Sequence, residues 1–149
     1  MSITREDVES VTSSVWEHML RSALTPDPKI TPEGVGASHV GLIRLGGAFA
    51  GLVTLHLPVG MVRGAASVLY GVTADSVSPE QMRDTVAELT NMVGGNLKCL
   101  VAPPTHLALP EVYPPDGFAS ALGSAHRRIA VGFGTGDEGL VVAVYESAE

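Results

Sequence analysis

Asp84-Thr85-Val86-Ala87-Glu88-Leu89-Thr90-Asn91-Met92-Val93-Gly94-Gly95-Asn96 is the stretch on which the reading of this chain turns. Wound at about 100° per residue from Asp84, Glu88 falls near 40°, Asn91 near 340° and Gly95 near 20°, so all four share one side. Met82, Val86, Leu89, Val93, Leu97 and Leu100 lie between about 140° and 220°, on the opposite side. The spacing therefore predicts an amphipathic helix with an apolar face on a core and an Asp/Glu/Asn/Gly stripe pointing away from it. A solvated helix face would look the same, so the stripe alone decides nothing. Gly94-Gly95 adds weight, because Gly costs about 1 kcal/mol against Ala in a helix interior. Either the helix ends there, against the continuing Leu97 and Leu100, or something approaches the backbone closely beside Asn91.

The same helix has a clear start. Ser78-Pro79-Glu80 places Ser as the cap and Pro at the first helical position. The periodicity carries the helix to about residue 101, before Pro103-Pro104. Working outward, residues 4–23 read as a first helix. Thr4 and Asp7 resemble a capping box, Ile3 and Val8 a hydrophobic staple, and Val8, Val11, Val15 and Met19 an apolar stripe. Residues 24–38, rich in Pro, Gly and Thr, read as a long loop.

Residues 39–46 and 50–57 read as strands joined by Gly46-Gly47-Ala48-Phe49, with Val53, Leu55 and Leu57 alternating against a wetter Leu52-Thr54-His56 side. Residues 59–71 form a small-residue helix stopped by Gly71, with Val62, Ala65, Ala66 and Leu69 on one side. Beyond the third helix come a strand at 105–112, a turn at Pro114-Pro115-Asp116-Gly117, and a hairpin with arms at 127–134 and 139–146. Connections this short demand antiparallel pairing, so the expectation is an α+β fold, a mainly antiparallel sheet packed with three helices.

Composition narrows the chemistry. The chain has 149 residues with 17 Gly and 10 Pro, below the roughly 25–30% that marks low-complexity sequence, and one core is expected. Nine Lys and Arg against 16 Asp and Glu give a net charge of −7, with no basic cluster beyond Arg127-Arg128. Nucleic acid and anionic membrane surfaces are therefore poor partners. One cysteine, Cys99, rules out an intrachain disulfide and a cysteine-rich zinc site. Met1-Ser2-Ile3-Thr4-Arg5-Glu6-Asp7 is polar and acidic, unlike a signal peptide, and a cytoplasmic location is expected. Residues 45–62 carry no formal charge, but Gly46, Gly47, Gly51, Pro58 and Gly60 read as turn, strand and turn rather than a membrane span.

Glu88-Leu-Thr-Asn91-Met-Val-Gly94-Gly95-Asn96 resembles the Glu-x-x-Asn…Gly-Asn motif of the CheC/CheX/FliY phosphatases, which act on the phosphorylated chemotaxis response regulator. Asp84 precedes Glu88 and Pro114 follows Asn91 at that family's spacings, and the resemblance runs from about residue 39 onward. A single copy of the motif is similar to CheX rather than to CheC with its two copies. The resemblance implies a CheC-like fold, one CheX-like domain over residues 1–149, a homodimer, and a phosphatase partnered by a CheY-like receiver. It implies that Asn91 aligns a water for in-line attack on the aspartyl phosphate and that Glu88 pairs with the receiver's active-site lysine. Gly95 would allow close approach, Asn96 would act locally, and Asp84 and Pro114 would support. It requires no metal or cofactor on this chain, with Mg²⁺ expected on the receiver, and positioning is most of what phosphoryl transfer needs.

Other motifs carry less. Gly134-Thr-Gly136-Asp-Glu-Gly139 fits a dinucleotide pattern, but a strand follows and Asp137 and Glu138 would repel phosphate, so it reads as a hairpin turn. The histidines at 18, 39, 56, 106 and 126 lack metal-ligand spacing and read as surface or sheet residues. Cys99 has no local base and reads as structural, and Trp16 as a core or dimer contact. Two rival functions share the stripe: a non-catalytic module that docks a receiver or another signalling protein, and a dimeric structural domain whose stripe is only solvated.

Overall fold

A computed structural model describes residues 3–147. Met1 and Ser2, part of the polar start read above, lie outside them. The chain runs α1 (Arg5–Leu20), β1 (Thr25–Pro26), β2 (His39–Gly47), β3 (Gly51–Leu57), α2 (Val59–Tyr70), a 3₁₀ turn at Ala74–Ser76, and α3 (Pro79–Lys98). It continues through β4 (Thr105–Leu107), β5 (Glu111–Tyr113), α4 (Ala119–Leu122), β6 (His126–Thr135) and β7 (Glu138–Glu146). The strands form one seven-stranded sheet in the order β1-β6-β7-β3-β2-β4, with β5 also on β2. Every pairing among the described residues is antiparallel, as the short connections required.

The caps stand where the sequence put them. Thr4 and Asp7 form a reciprocal capping box at α1, and Ser78 with Gln81 does the same at α3, with Pro79 in the first turn. Ile3 and Val8 are both buried in one cluster. Gly71 closes α2 with φ 67°, a left-handed conformation that glycine adopts without strain. The charge-free run at 45–62 is the end of β2, all of β3 and the start of α2, and no described helix is long and apolar enough to cross a membrane.

Several expectations need correction. The buried face of α1 is Val8, Thr12, Val15, Trp16 and Leu20, with Val11 and Met19 only partly buried. The stripe is rolled toward Trp16 because α1 packs against α3, α2 and β6 together. The third helix ends at Lys98, so Leu100 lies beyond the cap and is exposed rather than core. The strand expected at 105–112 is two short ones. The loop at 24–38 contains β1, whose Thr25 and Pro26 pair with Gly134 and Phe133 of β6.

The largest difference concerns β3. All seven of its residues are buried, so its Leu52-Thr54-His56 side is not wet. A segment missing from the sequence reading covers it: α4 and its flanks bring Tyr113, Ala121, Leu122 and Ala125 against Leu42, Leu52, Ala143 and Tyr145. Arg44 pins this cover, donating from Nε to Glu111 Oε2 at 3.1 Å and from Nη2 to the Ala121 carbonyl at 2.9 Å. Burial alone would raise the Glu111 pKa; hydrogen bonds from Tyr113 and Arg44 pull it below its usual value. His56 fits inside because Thr54 Oγ1 meets its Nε2 at 2.9 Å and Phe118 packs edge-on at 5.1 Å between ring centroids.

On the other face α3 lies close on β2. A Cβ at Gly41 would collide with Thr90 Oγ1 and touch Val86 Cγ1, and one at Gly94 would stand 2.6 Å from Ile43 Cγ2. Gly94 is therefore explained by packing within the chain, not by a helix end. Gly41→Ala should lower stability by about 1–3 kcal/mol, the scale of overpacking a close-packed interface. Urea unfolding followed by far-UV circular dichroism measures it, and an unchanged midpoint would mean that α3 is not seated on β2 in this way.

The buried His56 generates a second expectation. Burial first, and Arg127 second, depress its pKa from 6.5 to about 4, with Glu33 opposing. The unfolded chain binds a proton that the folded one refuses, so His56's contribution to stability is complete above about pH 6.5 and is lost as pH falls toward 4. The separation corresponds to about 3 kcal/mol. Unfolding free energies of wild type and His56→Asn should converge across that window, and parallel pH profiles would contradict this assignment.

Candidate functional site

The geometry of α3 follows from its seat on β2. Met82, Val86, Leu89, Val93 and Leu97 are buried beneath it, while Asp84, Glu88 and Asn91 are exposed along the outer face. Thr85 and Thr90 are buried as well, and Thr90 Oγ1 donates back to the Val86 carbonyl at 2.7 Å, satisfying its hydroxyl inside the helix. The stripe read from the spacing is therefore presented outward. Neither Glu88 nor Asn91 makes a side-chain hydrogen bond or ion pair with any other described residue, so both heads are free for a partner.

The glycine pair divides into two roles. Gly94 is buried under Ile43, as above. Gly95 is half-buried, and a Cβ there would meet only Leu107 Cδ2 at 3.8 Å, an ordinary contact. Packing within the chain does not require glycine at 95. Asn96 is exposed and donates from Nδ2 to the Met92 carbonyl at 2.7 Å, a bond within its own helix. Pro114 begins the turn in which the Gly117 amide donates to the Pro114 carbonyl at 2.9 Å.

The structure does not bring all six residues to one point. Pro114 stands by the N-terminal half of α3, where it lines a cleft of about 330 Å³ with His39, Arg83, Tyr113 and Pro79. Ser38 Oγ lies 2.7 Å from His39 Nδ1, and burial followed by the nearby Arg83 lowers the His39 pKa. This cleft has no signature in the linear order of residues, because its walls come from β2, α3 and β5 and meet only through the sheet register. Trp16 is a core residue, and Cys99 is exposed at the C-terminal cap of α3. Gly136, with φ 59°, turns the β6–β7 hairpin at the glycine-rich run.

An antiparallel sheet with α3 laid across it matches the CheC/CheX-like fold of the solved structures below. The family described as chemotaxis phosphatase CheX matches residues 39–134, and the chain belongs to that family. Among solved structures, the chemotaxis protein CheX of Vibrio vulnificus superposes with a TM-score of 0.77 at 20% identity, over 98% of this chain and 100% of that one. The chain from the CheX-CheY-BeF3-Mg complex of Borrelia burgdorferi gives 0.72 at 17% identity, with 100% of each chain covered. FliY of Thermotoga maritima gives 0.59 at 12% identity, over 97% of this chain and 92% of that one. No protein with a curated description matches the sequence.

Because Glu88 and Asn91 are exposed and make no side-chain hydrogen bond or ion pair with a described residue, Glu88→Ala and Asn91→Ala should each leave folding stability within about 0.5 kcal/mol of wild type. Urea titration is the check, and a loss of several kcal/mol would mean that these side chains have internal partners.

Proposed function

We propose that this chain removes the phosphoryl group from the aspartate of a CheY-like response-regulator receiver. The observation that carries the reading is the outward pair Glu88 and Asn91, one helical turn apart and without internal partners, in a chain of the CheX family. The structural relative crystallised as a CheX-CheY complex with BeF3 and Mg supports a receiver as the partner class.

In the proposed reaction Asn91 enters the receiver's pocket and holds a water in line with the phosphorus, accepting from one water hydrogen and donating to the oxygen. The water oxygen bonds to phosphorus, the bond from phosphorus to the aspartyl oxygen breaks, and the products are inorganic phosphate and a free carboxylate. Glu88 pairs with the receiver's lysine and fixes the approach. Gly95 lets the partner close on the helix, Asn96 steadies the helix end, and Asp84 and Pro114 border the contact. The Mg²⁺ expected on the receiver would neutralise phosphoryl oxygens, so this chain supplies position rather than charge. The same likeness to CheX carries a homodimer, a cytoplasmic setting, and residues 1–149 acting as one unit.

The test is phosphate release from phosphorylated receivers encoded in the same genome. Wild type should accelerate release from one of them, and Asn91→Ala should cut the acceleration roughly 100-fold, with Glu88→Ala lowering it as well. Equal rates for wild type and Asn91→Ala would overturn the mechanism. Stable complex formation with no acceleration would leave a non-catalytic receiver-binding module.

A further inference from the structure

Leu109 is 85% exposed, more than any other large apolar side chain among the described residues. A lone exposed leucine is ordinary, so its placement is what matters. The register sets Leu107 opposite Leu45 and Glu111 opposite Leu42, so Ala108, Leu109 and Pro110 run alongside Ile43 and Arg44 alone. The outer strand thus carries one extra residue, a bulge of the kind that re-aims a side chain. Pairing persists to Ala108, whose amide donates to the Arg44 carbonyl at 2.9 Å, and Leu109 and Pro110 are the residues displaced.

The helix fixes where this bulge lies. Gly94 sits over Ile43, and Leu107 lies against Gly94 and Gly95. Leu109 therefore stands on the edge of the sheet at the level of the Asn91–Gly95 turn of α3, on the flank where Leu107 reaches the helix. Two residues along the edge from Leu107, Leu109 is the exposed apolar side chain of the outer strand that flanks α3.

We infer that Leu109 is an apolar anchor for the receiver, setting how tightly the partner is held rather than how fast the reaction runs; this rests on the reading given under Proposed function. Two features favour the receiver over a second copy of this chain. The bulge, together with Pro110, which has no N–H to donate, obstructs strand-to-strand addition along this edge. Asp84 and Glu88, exposed on the outer face of α3, complement a partner that brings a cation to that helix, as the receiver's lysine would in the reading given above.

The experiment titrates phosphorylated receiver against wild type, Leu109→Ser, Leu109→Met and Asn91→Ala, reading the rate of phosphate release and, separately, binding of the unphosphorylated receiver. Leu109→Ser should raise the half-saturating receiver concentration about tenfold, with the saturating rate unchanged, and weaken binding in parallel. Leu109→Met should restore wild-type behaviour. Asn91→Ala should lose rate while still binding. Identical half-saturation and binding for wild type and Leu109→Ser would overturn the inference, as would a Leu109→Ser effect confined to self-association in sedimentation of the protein alone. If wild type binds the receiver but releases no phosphate, the catalytic reading fails while Leu109 is still judged by affinity. If wild type neither binds nor releases, both fail.

Discussion

The close seat of α3 on β2 is the contact on which the rest of this molecule depends. Two glycines on opposite partners make it: Gly41 on the strand admits Thr90 and Val86, and Gly94 on the helix admits Ile43. A helix touching a sheet at one point can roll; one held at two points a turn apart cannot. The roll decides which side chains face solvent, because a rotation of about 100° exchanges a solvent-facing position for a core-facing one. Turned that far, Glu88 would carry an ionised carboxylate into an apolar layer at large cost. The outward stripe is thus a consequence of small residues elsewhere.

The sheet constrains the site in a second way. With α1, α2 and α3 on one face and the α4 segment on the other, β3 is buried along its whole length and β2 along most of it. A sheet covered on both sides leaves no broad apolar surface for a ligand. What stays uncovered for the proposed partner is the outer face of α3 and the sheet edge beside it. The Arg44 side chain matters to this division, since its bonds to Glu111 and the Ala121 carbonyl hold the second cover in place.

Much of this was legible in the sequence, and the reasons are local. The capping box at Thr4, the Ser78 cap with Pro79 behind it, the stop at Gly71, the hairpin turn after Thr135 and the period of α3 are decided by neighbours within about four residues. The failures need long-range information. Thr54 and His56 look wet by composition, but each satisfies the other and α4 seals them in. Gly94 and Gly95 stood out together, yet only the register of β2 under α3 shows that Gly94 answers to Ile43, while at Gly95 a Cβ would meet Leu107 at no more than ordinary contact distance. Leu100 kept the apolar period after the helix had ended. The motif residues were readable because their spacing and the helical period coincide. The bulge at Leu109 was not, because a bulge exists only relative to the strand beside it.

The bare face of α3 suits a helper better than a cleft would. A cleft enzyme surrounds its substrate with buried, polarised groups; here the proposed phosphoryl site belongs to the partner, and this chain need add one oriented group. An amide fits that role. In water Asn91 exchanges its hydrogen bonds freely, so displaying it costs little. In the reaction proposed above, a receiver covering the face would require those bonds to be remade, and Asn91 would make them to the attacking water. A carboxylate at the same position could also hold a water, but it would bring a negative charge against a phosphoryl group already crowded with it. The rigid helix contributes the remainder: with its roll fixed by Gly41 and Gly94, only the short side chain of Asn91 has to be ordered, and little entropy is lost when the partner arrives.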